Sequence, residues 1–153
     1  LINRDNMQPH PEGGWYVELF RSEKTVSPDD GRSTRSALTT IHFLLAGSGP
    51  NGRSRLHRVH SDEVWHHLEG SPLELICLAP DMKSINRIML GPDSPTYIIP
   101  ADYWQAATTT GDFTLVACSV GPGFDFDDFA MASDLPDDEA MLRSNHPDLV
   151  DFL

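Results

Sequence analysis

The run His57-Arg58-Val59-His60-Ser61-Asp62-Glu63-Val64-Trp65-His66-His67 carries imidazole and carboxyl groups close together. These are the side chains that most often exchange protons near neutral pH or bind a divalent metal. Side chains alternate faces along a strand, so His57 shares a face with Arg55 and Val59, and Glu63 shares one with Trp65 and His67. Ser61 and Asp62 are turn formers, which predicts a hairpin whose two strands point His57 and Glu63 into one interior. His66 has the opposite parity and is expected on the outer face, where a second subunit would cover it. Arg53, Arg55 and Arg58 flank His57 in an otherwise acidic chain. A guanidinium fork matches phosphate or carboxylate, so Arg55 and Arg21 turned inward would select an anionic ligand; turned outward, they would pair with the acidic tail.

The elements that must hold these groups read as strands. Short apolar or alternating runs cover 15–20, 36–45, 54–59, 63–69, 73–79, 83–90, 96–100, 105–109 and 113–120. Gly, Pro, Asn and Asp close each run, at GSGPNG, EGSP, APD, GPDSP, TGD and GPG. No helical periodicity interrupts the series, which excludes βαβ units and a parallel sheet. Many short strands must close a barrel or stack as two sheets. After 129 the pattern changes: Pro136 followed by Asp137, Asp138 and Glu139 places acids at a helix start. The expectation is a single all-β domain over 1–153, with a strand-built body over about 14–129, whose form as jelly roll, lipocalin-like barrel or immunoglobulin-like sandwich composition leaves open, and a short helical tail over about 134–153 that caps it.

Charge and composition remove several classes. The formal net charge of -12 argues against nucleic acid, whose binding needs cations along the backbone. No apolar run reaches the roughly 20 residues that cross a bilayer, and no signal-peptide pattern opens the chain, so the expected setting is cytoplasmic and away from membranes. The chain opens on Leu1 rather than Met, so further N-terminal sequence is expected. Cys77 in LELICLAP and Cys118 in FTLVACSV lie inside apolar strands, as buried free thiols do. Trp15 and Trp104 read as core, whereas Trp65 shares the face of Glu63 and suits stacking on a flat ligand.

On these residues the chain resembles the cupins. Gly52, His57, Glu63 and Gly70 follow the first cupin motif, with Val59 where its second histidine stands. Pro100 to Gln105 follows the second, with Asp102 in place of glycine and Gln105 in place of histidine. PHPEGGWY, ELFRSE, SDEVWHH, IPADYWQAA and VGPGFDFDDF resemble, in order, the cupin_5-type family, a domain of unknown function. The resemblance implies a jelly-roll β-barrel, a homodimer, and a pocket lined in part by His57, Glu63 and Gln105. Metal-binding cupins use three or four imidazole and carboxylate ligands; here Val59 and Gln105 leave only His57 and Glu63, so no cofactor is expected.

Three functions follow as expectations. A likeness to dTDP-sugar 3,5-epimerase-like cupins implies a nucleoside diphosphate or nucleotide sugar in the pocket. His57 would then be the base, Glu63 its orienting partner, and Arg21 and Arg55 would hold phosphate, with Trp65, His67 and Gln105 contacting ligand. The alternatives are a divalent-metal dioxygenase or isomerase, with His57 and Glu63 joined by His60 or His67, and a non-enzymatic module that binds or senses a metabolite.

Overall fold

The computed structural model describes residues 1–3 and 5–153. Its strands are β1 (Gln8–Pro9), β2 (Trp15–Arg21), β3 (Thr25–Val26), β4 (Arg35–Ser36), β5 (Thr39–Ala46), β6 (His57–Val59) and β7 (Asp62–Gly70). Then come β8 (Leu73–Leu78), β9 (Ile85–Leu90), β10 (Thr96–Ile99), β11 (Trp104–Thr109), β12 (Phe113–Gly121) and β13 (Phe129–Met131). Helix α1 (Pro136–Asn145) and a 3-10 turn over Pro147–Phe152 end the chain. A six-stranded sheet in the order β1-β2-β5-β12-β7-β10 packs against a five-stranded sheet in the order β13-β6-β11-β8-β9, and β3 pairs with β4 as a separate ribbon. The result is the expected jelly-roll β-barrel with a short C-terminal helix.

Alternation explains the inner core. Phe43 and Leu45 of β5, Trp65 of β7, and Val116 and Cys118 of β12 point inward from the larger sheet. They meet Leu73, Leu75 and Cys77 of β8 and Ala107 of β11 from the smaller one. The run LELICL is apolar at nearly every position because β8 is covered on both sides. Its other face, with Trp104 and Ala106 of β11, lies under Leu142 of α1 and Leu149 of the final turn. The tail therefore covers the outer face of the five-stranded sheet rather than capping the barrel. Helix α1 begins at Pro136 with three acids in its first turn, as its sequence predicts.

Two expectations change. Strands β6 and β7 do not form a hairpin. Strand β6 pairs with β11 and β13, while β7 pairs with β10 and β12, so the Ser61 turn crosses from one sheet to the other. His57 and Glu63 consequently enter the interior from opposite sheets. The strand expected over 54–59 also shortens to His57–Val59. Upstream of it the backbone N–H groups have three separate acceptors: Ser54 donates to Ala107 O, Arg55 to Glu12 O and Leu56 to Phe152 O. Among the described residues, no helix is long and apolar enough to cross a membrane.

Leu142 is fully buried, so Leu142→Ala removes a side chain that holds the tail to the sheet. A stability loss of about 2–5 kcal/mol in urea unfolding is expected. A loss below about 1 kcal/mol would mean that the tail does not depend on this contact.

Candidate functional site

Glu12 lies in the loop between β1 and β2, and two glycines put it there. Gly13 and Gly14 have φ of +106° and +70°. A Cβ on Gly13 would stand 2.6 Å from Arg53 O, and one on Gly14 2.8 Å from Leu44 O. Only glycine lets the chain turn in this space. Arg55 N–H donates to Glu12 O at 2.6 Å and ties the loop to the segment leading into β6.

The loop carries the Glu12 carboxylate to 2.9 Å from His57 Nε2, with the two side chains only 7% and 3% exposed. His57 Nδ1 donates to Arg55 O at 2.7 Å. With Nδ1–H on a carbonyl and Nε2 facing a carboxylate, the imidazole is held as a cation. Burial opposes charge on both groups, but their attraction outweighs it. His57 is therefore raised above the ordinary imidazole value and Glu12 lowered below the ordinary carboxyl value. His10 Nδ1 accepts from Glu12 N–H at 3.3 Å, and burial keeps this second imidazole toward its neutral form.

Glu63 faces this pair from β7. Burial raises its pKa, against the opposing influence of His57 and Gln105, and favours the carboxylic acid. Gln105 Nε2 donates to Glu63 Oε2 at 2.6 Å. The amide cannot turn around, because Trp65 Nε1–H, a donor with no acceptor capacity, donates to Gln105 Oε1 at 2.9 Å. The Cys118 thiol also hydrogen-bonds Glu63, and burial pushes it well above the ordinary thiol value.

His10, Glu12, His57, Glu63, Trp65 and Cys118 line a cavity of about 390 Å³, and Phe43, Phe124, Phe126 and Phe129 are among its walls. The His57 ring stacks on Phe129 with centroids 5.4 Å apart. The Phe124–Phe129 wall is pinned from behind. Arg35 makes a two-pronged contact with Asp128, with both bonds 2.9 Å, and Arg32 adds one at 3.0 Å. Arg21 crosses the cavity rim, its Nε and Nη2 bonded to Glu18 Oε1 at 2.9 and 2.6 Å and its Nη1 to Phe124 O at 3.0 Å.

Of the residues selected from sequence, His57, Glu63, Trp65 and Arg21 line this cavity. Gln105 lies behind Glu63 and orients it. Arg55 is not in the lining; its Nη2 donates to Ser133 Oγ at 2.6 Å, because residue 55 precedes β6 and strand parity does not apply there. His67 shares the face of Glu63 but lies farther along β7, with Nε2 3.3 Å from Ser71 O. Parity gives its face and not its depth. His66 bonds Thr96 Oγ1 at 3.1 Å. Glu12 and His10 escaped the sequence reading because PHPEGG looks like turn chemistry. The one available signal was an acid directly before paired glycines.

The donor set does not fit a cupin metal. Val59 offers no ligand atom, Gln105 is engaged by Glu63 and Trp65, and both His57 nitrogens are engaged as well. Among the described residues, no three His, Cys, Asp or Glu side chains are grouped to hold a metal ion.

The ion pair makes stability depend on pH. The contribution of His57 is complete below its ordinary 6.5 and is lost as pH rises through its raised folded value. The contribution of Glu12 is present above its ordinary 4.5 and is lost as pH falls through its lowered folded value. The melting-temperature difference between wild type and His57→Gln should therefore be largest between pH 4.5 and 6.5 and shrink in the alkaline range. A difference that stays level with pH would contradict the pairing.

The family described as Cupin superfamily (DUF985) matches residues 1–132. A hypothetical protein from Leishmania major is 30% identical, with a TM-score of 0.81 over 99% of this chain and 93% of that one. A protein from Shewanella oneidensis is also 30% identical, with a TM-score of 0.83 over 99% and 93%. Oxalate decarboxylase from Bacillus subtilis is 11% identical, with a TM-score of 0.58 over 91% of this chain and 34% of that one, and shares the fold alone. No curated protein matches. With the cupin motifs, the barrel and the family match in agreement, the chain belongs to the Cupin superfamily (DUF985) family.

Proposed function

We propose that this cupin binds a compact organic molecule in the barrel and moves a proton on it, as an isomerase or epimerase does. The observation that carries the reading is the contrast between two buried carboxyl groups in one cavity. Glu12 is ionised against His57, while Glu63 is held toward its protonated form. Pairs of groups whose surroundings push their pKa values apart are suited to act as base and acid together. His57 and Glu63 come from opposite sheets, so a substrate between them meets the two groups from different sides.

The roles differ from those read in the sequence. His57 has no free nitrogen lone pair toward the cavity, so Glu12 is the base and His57 stabilises its charge. For a carbon acid next to a carbonyl, the C–H bond breaks and its proton passes to Glu12. The electron pair forms the enol double bond as Glu63 gives its proton to the carbonyl oxygen. For an α-hydroxy carbonyl compound, Glu12 then gives the proton to the former carbonyl carbon and the neighbouring hydroxyl gives its proton to Glu63, which moves the carbonyl by one carbon with no net gain or loss.

The narrower nucleotide-sugar reading has less support. Among the described residues, Arg21 is the one arginine in the cavity lining, and it is engaged by Glu18 and Phe124 O. A dianionic diphosphate would meet Glu18 and Asp125 in the lining without a free cation. Titration with dTDP is expected to give no heat; tight binding would restore the nucleotide reading.

The reaction can be sought without knowing the substrate. Neutral, amino-substituted and nucleotide-linked ketoses and aldoses incubated with the protein in D₂O should include at least one that gains deuterium next to its carbonyl. Glu12→Gln and Glu63→Gln should each slow that exchange by about 10²–10⁴-fold. Exchange unaffected by both substitutions, or absent across the panel, would remove the proton-transfer reading and leave a binding module.

A further inference from the structure

Within the same site, and resting on the reading of this cavity as a small-molecule pocket, we infer that the ligand carries a positive charge, as an amine or quaternary ammonium group. Four carboxyl groups line the cavity among the described residues: Glu12, Glu18, Glu63 and Asp125. The two cations there are already matched. His57 is paired with Glu12 and Arg21 with Glu18, burial holds Glu63 toward its neutral acid, and Asp125 is left as the carboxylate with no cationic side chain in the lining. An anion entering would find no unpaired positive group, whereas a cation would find the Asp125 carboxylate.

The aromatic wall supplies the second, independent observation. Phe124, Phe126 and Phe129 all line the cavity and stand at near-right angles to one another, at 82°, 72° and 74°, with centroids 5.0–6.2 Å apart. Phe129 already gives one face to the paired His57 ring, and the three rings together make this wall aromatic. Tyr16, Phe43 and Trp65 extend the aromatic lining. The negative faces of aromatic rings attract cations, and a box of such rings suits an alkylammonium better than a strongly hydrated inorganic ion. Asp125 lies between Phe124 and Phe126 in sequence and is among the residues that line the same wall. The segment that shapes the box thus also supplies the charge. Buttressing by Arg35 and Arg32 on Asp128 holds that segment in place.

The discriminating pair of probes is choline and 3,3-dimethylbutan-1-ol, which have the same shape but differ in charge. Calorimetry on the wild-type protein should detect choline and give weaker or no binding for the alcohol. Phe126 is half exposed, so Phe126→Leu removes a π face without emptying the core. Asp125→Asn keeps a side-chain oxygen for the Asp127 N–H that Asp125 caps. Each substitution should weaken choline about two- to fivefold and leave the alcohol unchanged. Equal affinity for the two probes, or choline binding indifferent to both substitutions, would overturn the inference. Choline binding without deuterium exchange in any carbonyl compound would uphold it while removing the proton-transfer reading. Exchange on a neutral carbonyl compound with no choline binding would do the reverse.

Discussion

The contact between Glu12 and His57 is the point on which the rest of the interior turns. A buried ion pair is costly to form, because two ions leave water, and it persists only where geometry and further hydrogen bonds compensate. Here the compensation comes from the backbone. Arg55 accepts from His57 Nδ1 and donates from its own N–H to Glu12 O, so one residue holds both partners. The paired glycines let the loop make its approach, and Phe129 stacks on the imidazole. Loss of one partner would leave a buried charge alone, a change that typically costs about 3–5 kcal/mol.

Around that pair the two sheets divide the work. The larger sheet brings Glu63, Trp65 and Cys118, and the smaller brings His57 and Gln105. The chain of bonds from Trp65 through Gln105 to Glu63 contains a donor that cannot accept, so its direction is fixed by chemistry rather than by packing. An amide at position 105, where other cupins place an imidazole, turns a metal-ligand position into one that orients a carboxylic acid. On the proposed reading, that exchange gives the pocket an acid in place of a metal ligand. It keeps the cupin barrel and loses the cupin donor set.

Much of this was legible in the sequence, and the failures share one physical cause. Strand parity correctly placed Glu63 and Trp65 on an inward face, and the interrupted apolar runs indicated many short strands, whereas the barrel followed from the resemblance to cupins. Parity holds only within a strand, however, and it does not say how deep along the strand a cavity reaches. Arg55 failed the first condition, since it lies in a segment whose N–H groups go to three different partners. His67 failed the second, lying beyond Trp65 near the Ser71 turn. Glu12 was invisible to both because it sits in a loop, where long-range contacts rather than periodicity decide a side chain's direction. The crossing between sheets at Ser61 was hidden in the same way. A turn signal reads alike whether the next strand pairs with the last or faces it across the core.

The account stands on two carboxyl groups in one cavity having opposite protonation preferences. Titration of the glutamate side-chain carboxyl ¹³C resonances, assigned with Glu12→Gln and Glu63→Gln, measures this directly. Glu12 should titrate below the ordinary 4.5 and Glu63 above it. Both groups titrating together near the ordinary value, or in the reverse order, would contradict the account.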